Sequence, residues 1–197
     1  DLLGIDVTVL GNHDYLLGGD VLARQIKAAN LKTKILSSNL RGKKRLGLKG
    51  LVINDHQIEI DGTKIFIFGL STAEAHFMYP IAWKGFIRPP LESFSKMENK
   101  AAKAQADFVI ALTHIGLEKD IELAKKSKSI DLIVGGHSHS RSNEIRYEFN
   151  KEMKPTPILQ AGANGIAIGR LLLDLKPNHE SQVISYEILD VTNKIQP

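Results

Sequence analysis

Short apolar runs rich in Val, Ile and Leu recur along the chain: VTVL (7–10), KILSSNL (34–40), LVIN (51–54), KIFIFGL (64–70), DFVIALTH (107–114), DLIVGGH (131–137), PILQAG (157–162), RLLLDL (170–175) and VISYEIL (183–189). Runs this short and this branched predict strands. QIEI (57–60) and KIFIF (64–68) flank Asp61-Gly62-Thr63, and an Asp-Gly step between alternating segments predicts a tight antiparallel hairpin. Helical periodicity predicts helices over 19–30, 91–106 and 117–128; in the last, Leu117, Ile121 and Ala124 share one face. Strand, helix and strand in succession across 107–137 predict a crossover within a partly parallel sheet. The prolines of IRPP (87–90) and MKPTP (153–157) predict loops. No internal repeat, low-complexity tract or linker interrupts this order, so one mixed α/β domain is expected.

Composition narrows the function classes. With 197 residues, 43% hydrophobic and 24% charged, the chain is long and apolar enough to bury a substantial core. No apolar run approaches the ~20 residues of a membrane-spanning helix. The formal charge of +4 comes mostly from scattered lysines, with one dense cluster, RGKKR (41–45), between a strand and a Gly-rich turn. There it reads as a solvated loop, and no nucleic-acid partner is expected. Cysteine is absent, which excludes disulfides, cysteine zinc sites and thiol catalysis. The chain opens at DLLGIDVTVL, from which no targeting signal can be read. No feature of the sequence sets an oligomeric state.

Four of the seven histidines follow an apolar strand directly: His13 after VTVLGN, His114 in DFVIALTH, and His137 and His139 after DLIVGG. In open α/β sheets ligands bind beyond the carboxyl ends of strands, where loops from neighbouring strands converge. Imidazole and amide oxygen suit Zn, Mn, Fe, Ni or Co, so a metal site is expected there. His56, His76 and His179 lie in a strand or in loops without that context and are expected to be structural.

GNHD (11–14), THIG (113–116) and GGHSHS (135–140) resemble three successive signatures of the calcineurin-like metallophosphoesterases. ILSSNL (35–40) and ILQAGANGIAIGRLLLDL (158–175) are similar to the 5′-nucleotidase branch, and the resemblance runs from Leu3 to about Leu175. It implies a layered β-sandwich of mixed sheets flanked by helices. It further implies that Asn12, His114 and His137 ligate one divalent ion and His139 another, a dinuclear Mn, Zn or similar centre. His13 would protonate the leaving alkoxide or hold transition-state charge. On an extended segment Asn12 and His13 would point apart, and His137 and His139 could point the same way, with Gly135 and Gly136 keeping the approach open. Ser138 and Ser140 are expected to support the turn rather than to ligate, and Asp14 to cap the turn that follows it.

The implied substrate is a nucleotide or another small phosphate ester, and the implied location is periplasmic or extracellular. A cyclic-nucleotide phosphodiesterase, a sugar-nucleotide pyrophosphatase or a sulfur-ester hydrolase would use the same histidines. An inactive binding module is the alternative of another class.

The family opens with a strand ending in Asp-x-His and a second carrying Gly-Asp, and neither occurs in the ten residues before Gly11. The acidic residue that orients the motif histidine in the nucleotidase branch corresponds to Leu16. Residues 1–197 are therefore expected to be one incomplete catalytic domain of a longer enzyme, without its C-terminal nucleotide-specificity domain. VTVL and DLIV are expected to lack a neighbouring strand, and the fragment alone to be inactive.

Overall fold

The computed structural model describes residues 3–74 and 86–191. In chain order the elements are β1 (Val7–Val9), a 3-10 turn (Asn12–Tyr15), α1 (Gly19–Ala29), β2 (Lys34–Leu36), β3 (Leu40–Arg41), β4 (Val52–Ile53), β5 (Asp55–Ile60), β6 (Thr63–Ser71) and β7 (Phe86–Ile87). They continue with α2 (Pro90–Ser93), α3 (Ser95–Lys103), β8 (Phe108–His114), α4 (Leu117–Lys126), β9 (Leu132–Gly135), β10 (Arg146–Phe149), β11 (Pro155–Gln160), β12 (Ala167–Asp174) and β13 (Gln182–Asp190).

Six strands form a mixed sheet in the order β10-β11-β9-β8-β6-β5, with β6, β8, β9 and β11 mutually parallel and the outer strands antiparallel. β6 is apolar and buried on both faces, which explains its place inside the sheet between β8 and β5. Phe66, Phe68 and Leu70 face a core shared with Phe94, Ala101, Ile121, Leu123 and Ala124 of the helical layer, whereas Ile65 and Ile67 face the opposite side. On that side lie Leu36 of β2, Val7 of β1 and Leu171 and Leu173 of β12. A third core joins α1 to the parallel sheet β1-β2-β4 through Leu10, Ala23, Ile35 and Val52. Helices, sheet, second set of strands and helix thus stack as the expected layered α/β sandwich. The Asp-Gly hairpin forms as expected, with Asp61 and Gly62 at φ 48° and 80° and β5 antiparallel to β6. The crossover also forms, with α4 joining the parallel strands β8 and β9.

Several expectations are corrected. DLIV has strands on both sides, since β9 lies between β8 and β11; β1 does end its sheet among the described residues. MKPTP is partly strand: Pro155 and Pro157 alternate along β11, so both missing donors lie on one edge. Pairing with the parallel strand β9 starts only at Ile158, while Pro155 and Pro157 lie opposite Phe149 and Tyr147 of β10, so the missing donors interrupt no registered pair with β9. The helix expected over 91–106 is divided at Phe94 and stops at Lys103, where Gln105 takes a left-handed φ of 53°. RGKKR is only partly solvated: Arg41 pairs with Phe86, and Lys43 is half-buried and donates to Asn54 Oδ1 at 2.7 Å. Burial lowers the Lys43 pKa to about 8. Among the described residues no helix is long and apolar enough to cross a membrane.

Candidate metal centre

Asn12 and His13 follow β1 on a 3-10 turn, not on an extended segment. Successive residues there differ by about 120°, so Asn12 turns inward and is buried while His13 is exposed. Asp14 caps its own turn rather than a following one, its Oδ2 accepting from the Gly11 N–H at 2.6 Å. The apolar side chain of Leu16, 46% exposed, carries no acceptor where the nucleotidase branch has an acid.

His114 ends β8, in register with Ser71 of β6. Its Nε2 lies 3.0 Å from Asn12 Oδ1. A Cβ at Gly11 would stand 2.9 Å from the His114 ring, so only glycine permits this approach between segments about a hundred residues apart. Burial lowers the His114 pKa to about 4, with smaller contributions from the charges of His137, His13 and His139. The imidazole is therefore neutral at pH 7. The His137 ring meets that of His114 edge-on, with centroids 5.1 Å apart.

His137 and His139 do not lie on an extended turn: their φ values are 85° and 58°, left-handed for both. Of the two glycines before them, Gly135 backs onto the protein interior and Gly136 onto the ring of His114. A Cβ at Gly135 would collide with Asp120 Oδ2 and Gln160 Nε2, and one at Gly136 would sit 3.4 Å from His114 Nδ1. Ser138 supports the turn, accepting from the Leu117 N–H at 3.1 Å and donating to Gln160 Oε1 at 2.9 Å.

The fold thus brings Asn12, His114 and His137 into contact range, with His13 and His139 close enough to perturb His114 electrostatically. Among the described residues, no three His, Asp or Glu side chains gather closely enough to form a metal-holding group by themselves. His179 instead pairs with Asp131 at 2.6 Å, His56 lies on β5, and His76 lies outside the described residues.

Three contributors escape sequence reasoning. Glu74, three residues beyond β6, accepts from His137 Nε2 at 3.0 Å and pairs with Lys119 at 3.2 Å. The hydrogen bond from Lys119, and then that from His137, hold Glu74 below the usual carboxylate range. No motif marks it. Asp120 is fully buried in α4 and bonded to Thr113 and Gln160. Its signal was present, because it shares the apolar stripe of Leu117, Ile121 and Ala124. Gln160, at the end of β11, carries no such mark.

Comparison with known proteins places this geometry in a family. The family model described as calcineurin-like phosphoesterase matches residues 3–141. The trifunctional nucleotide phosphoesterase protein YfkN of Bacillus subtilis is 28% identical over 204 residues, covering 87% of this chain and 14% of that protein. A snake venom 5′-nucleotidase of Gloydius brevicauda is 31% identical over 186 residues, covering 86% of this chain and 31% of its own length. The crystal structure of a 5′-nucleotidase precursor from Thermus thermophilus superposes with a TM-score of 0.84 at 25% identity, covering 94% of this chain and 38% of that one. The chain spans about a third or less of the curated relatives it matches here. The three histidine-bearing turns, which follow β1 of one sheet and β8 and β9 of the other, all lie within the matched span, and the chain belongs to the calcineurin-like phosphoesterase family.

Proposed function

We propose that the complete protein hydrolyses phosphate monoesters, 5′-nucleotides foremost, with Asn12, His114 and His137 holding one divalent ion, His139 contributing to a second, and His13 donating a proton. The observation that carries this reading is the meeting of Asn12 and His114, drawn from distant segments and 3.0 Å apart, beside the ring of His137. The donor set fits such ions: a carboxamide oxygen and an imidazole kept neutral by burial are good ligands for Mn, Zn and related metals. When bound, they supply positive charge against the charge that develops on the phosphoryl oxygens.

The chain's own residues do the rest. His114 keeps a lone pair available at neutral pH because desolvation opposes its protonation. Asn12, buried on its turn, offers Oδ1 without needing to deprotonate. His13, one step round the same turn and exposed, can reach a leaving alkoxide and deliver a proton to it. The nucleotide preference draws support from the nucleotide phosphoesterase and 5′-nucleotidases named above. The venom protein among them supports a location outside the cytoplasm.

The test is turnover of the full-length protein on 5′-nucleotides, cyclic nucleotides and nucleotide sugars, with and without a chelator. Dominant, chelator-sensitive release of phosphate from 5′-nucleotides is expected. Turnover confined to non-nucleotide esters would remove the nucleotidase reading, and chelator-resistant turnover would remove the metal.

A further inference from the structure

Asp120 is a fully buried acid that the chemistry proposed above leaves unused. It stands in the first turn of α4, behind the ends of β8 and β11. Its Oδ1 accepts from Thr113 Oγ1 at 2.6 Å, one residue before His114, and its Oδ2 accepts from Gln160 Nε2 at 2.8 Å. Gln160 Oε1 in turn accepts the Ser138 hydroxyl at 2.9 Å. Ser138 Oγ also accepts from the Leu117 N–H at 3.1 Å and lies 3.0 Å from Ser140 Oγ.

An ionised carboxylate only accepts, so Asp120 dictates which way round the Gln160 amide sits, nitrogen inward and oxygen toward Ser138. Ser138 has one proton and gives it to Gln160, which makes Ser140 the donor in the serine pair. One buried acceptor thereby fixes the direction of every hydrogen bond out to the surface turn.

That turn requires holding. His137 and His139 both occupy left-handed backbone, with Ser138 between them. For non-glycine residues such conformations persist only where the surroundings over-determine them. Beyond His139 the chain is tied to the same strand end: Gly162 N–H donates to Ser140 O at 2.8 Å, and Ser142 exchanges hydrogen bonds with the Gln160 backbone at 2.8 and 2.9 Å.

Resting on the metal-site reading above, we propose that Asp120 is a positioning residue: through Gln160 and Ser138 its buried carboxylate holds the His137–His139 turn in the conformation that presents both imidazoles to divalent ions. It touches neither substrate nor ion. It acts by fixing the backbone that carries two ligands.

Asp120→Asn and Ser138→Ala in the full-length protein test this, by calorimetric titration with Mn²⁺ and by long-range ¹H–¹⁵N spectra of the imidazoles in metal-free protein. Asp120→Asn keeps the shape but replaces one acceptor by a donor. Ser138→Ala cuts the chain at its surface end and leaves the core intact. Each should raise the Mn²⁺ Kd by about 10- to 100-fold, the usual loss when a group that orients a metal ligand is removed. The double variant should lose no more than the worse single one, because both cut one chain. Imidazole signals of His137 and His139 should move in both variants while those of His56 and His179 stay in place. An unchanged Kd in Ser138→Ala overturns the proposal even where Asp120→Asn fails to fold, and additive losses overturn it as well. Shifts spread over all the imidazoles would make Asp120 an ordinary core residue. Failure of the wild-type protein to bind Mn²⁺ would instead remove the metal-site reading itself, and the positioning role with it.

Discussion

At the residue scale the turn that carries Asn12 and His13 separates two tasks by about 120° of rotation. Asn12 faces His114 in the interior, and His13 faces out. His13→Ala should therefore lower turnover on the order of 10²–10⁴-fold, the range for a lost proton donor, and leave bound metal near the wild-type amount. His137→Ala should reduce metal content and activity together. Elemental analysis beside steady-state rates reads both quantities, and equal metal loss in the two variants would show the roles to be wrongly divided. The histidines were legible in the sequence because each follows a strand. Glu74 was not, because its partner His137 is 63 residues away and only the fold brings them together.

At the element scale two glycines lend themselves to opposite tests. Gly62 sits at φ 80° in the β5–β6 turn with open space where a side chain would go, so Gly62→Ala should cost about 1 kcal/mol through the backbone alone. Gly135 has an ordinary φ but no room, because Asp120 and Gln160 fill the space behind it. Gly135→Ala should cost about 1–3 kcal/mol through overpacking, and should lower the thermal midpoint more than Gly136→Ala, whose nearest neighbour is 3.4 Å away. Equal midpoints for the two alanine variants would contradict the packing seen behind β9. The hairpin was legible because Asp-Gly is a local signal. The strand character of Pro155 and Pro157 was not, since it depends on their pairing with β10 and on the β9 ladder starting only at Ile158.

At the scale of the whole molecule the buried Asp120 links stability to pH. Burial raises its pKa from 3.8 to about 6 and outweighs the hydrogen bonds from Thr113 and Gln160 that lower it. An acid held more tightly protonated in the folded state stabilises fully below its ordinary pKa, and that contribution is lost as pH rises through the folded value. Asp120 thus withdraws stability between about pH 4 and pH 6, with little further change above. Relative to wild type, Asp120→Asn should gain in urea midpoint across that window, and an offset that stays constant with pH would refute the linkage. Among the described residues no three His, Asp or Glu side chains gather into a metal-holding group, so residues 1–197 should bind Mn²⁺ weakly, at one site at most. Glu74, the carboxylate in contact with His137, is also tied to Lys119 and so is poorly placed to bridge two dications. Two tightly held ions per chain in metal analysis would contradict this.

The sequence by itself determined the class of fold, the Asp-Gly hairpin, the crossover from β8 through α4 to β9, and the strand ends where the ligand-type residues lie. Those are consequences of periodicity and turn chemistry, which act over a few residues. Only the tertiary structure decided that β9 has neighbours on both sides, that His137 and His139 take left-handed backbone, and that Asp120 sits behind them. Each of these depends on which surfaces meet across long separations. The stripe of α4 could mark Asp120 as inward-facing, but it could not name Thr113 and Gln160 as the partners that make its burial tolerable.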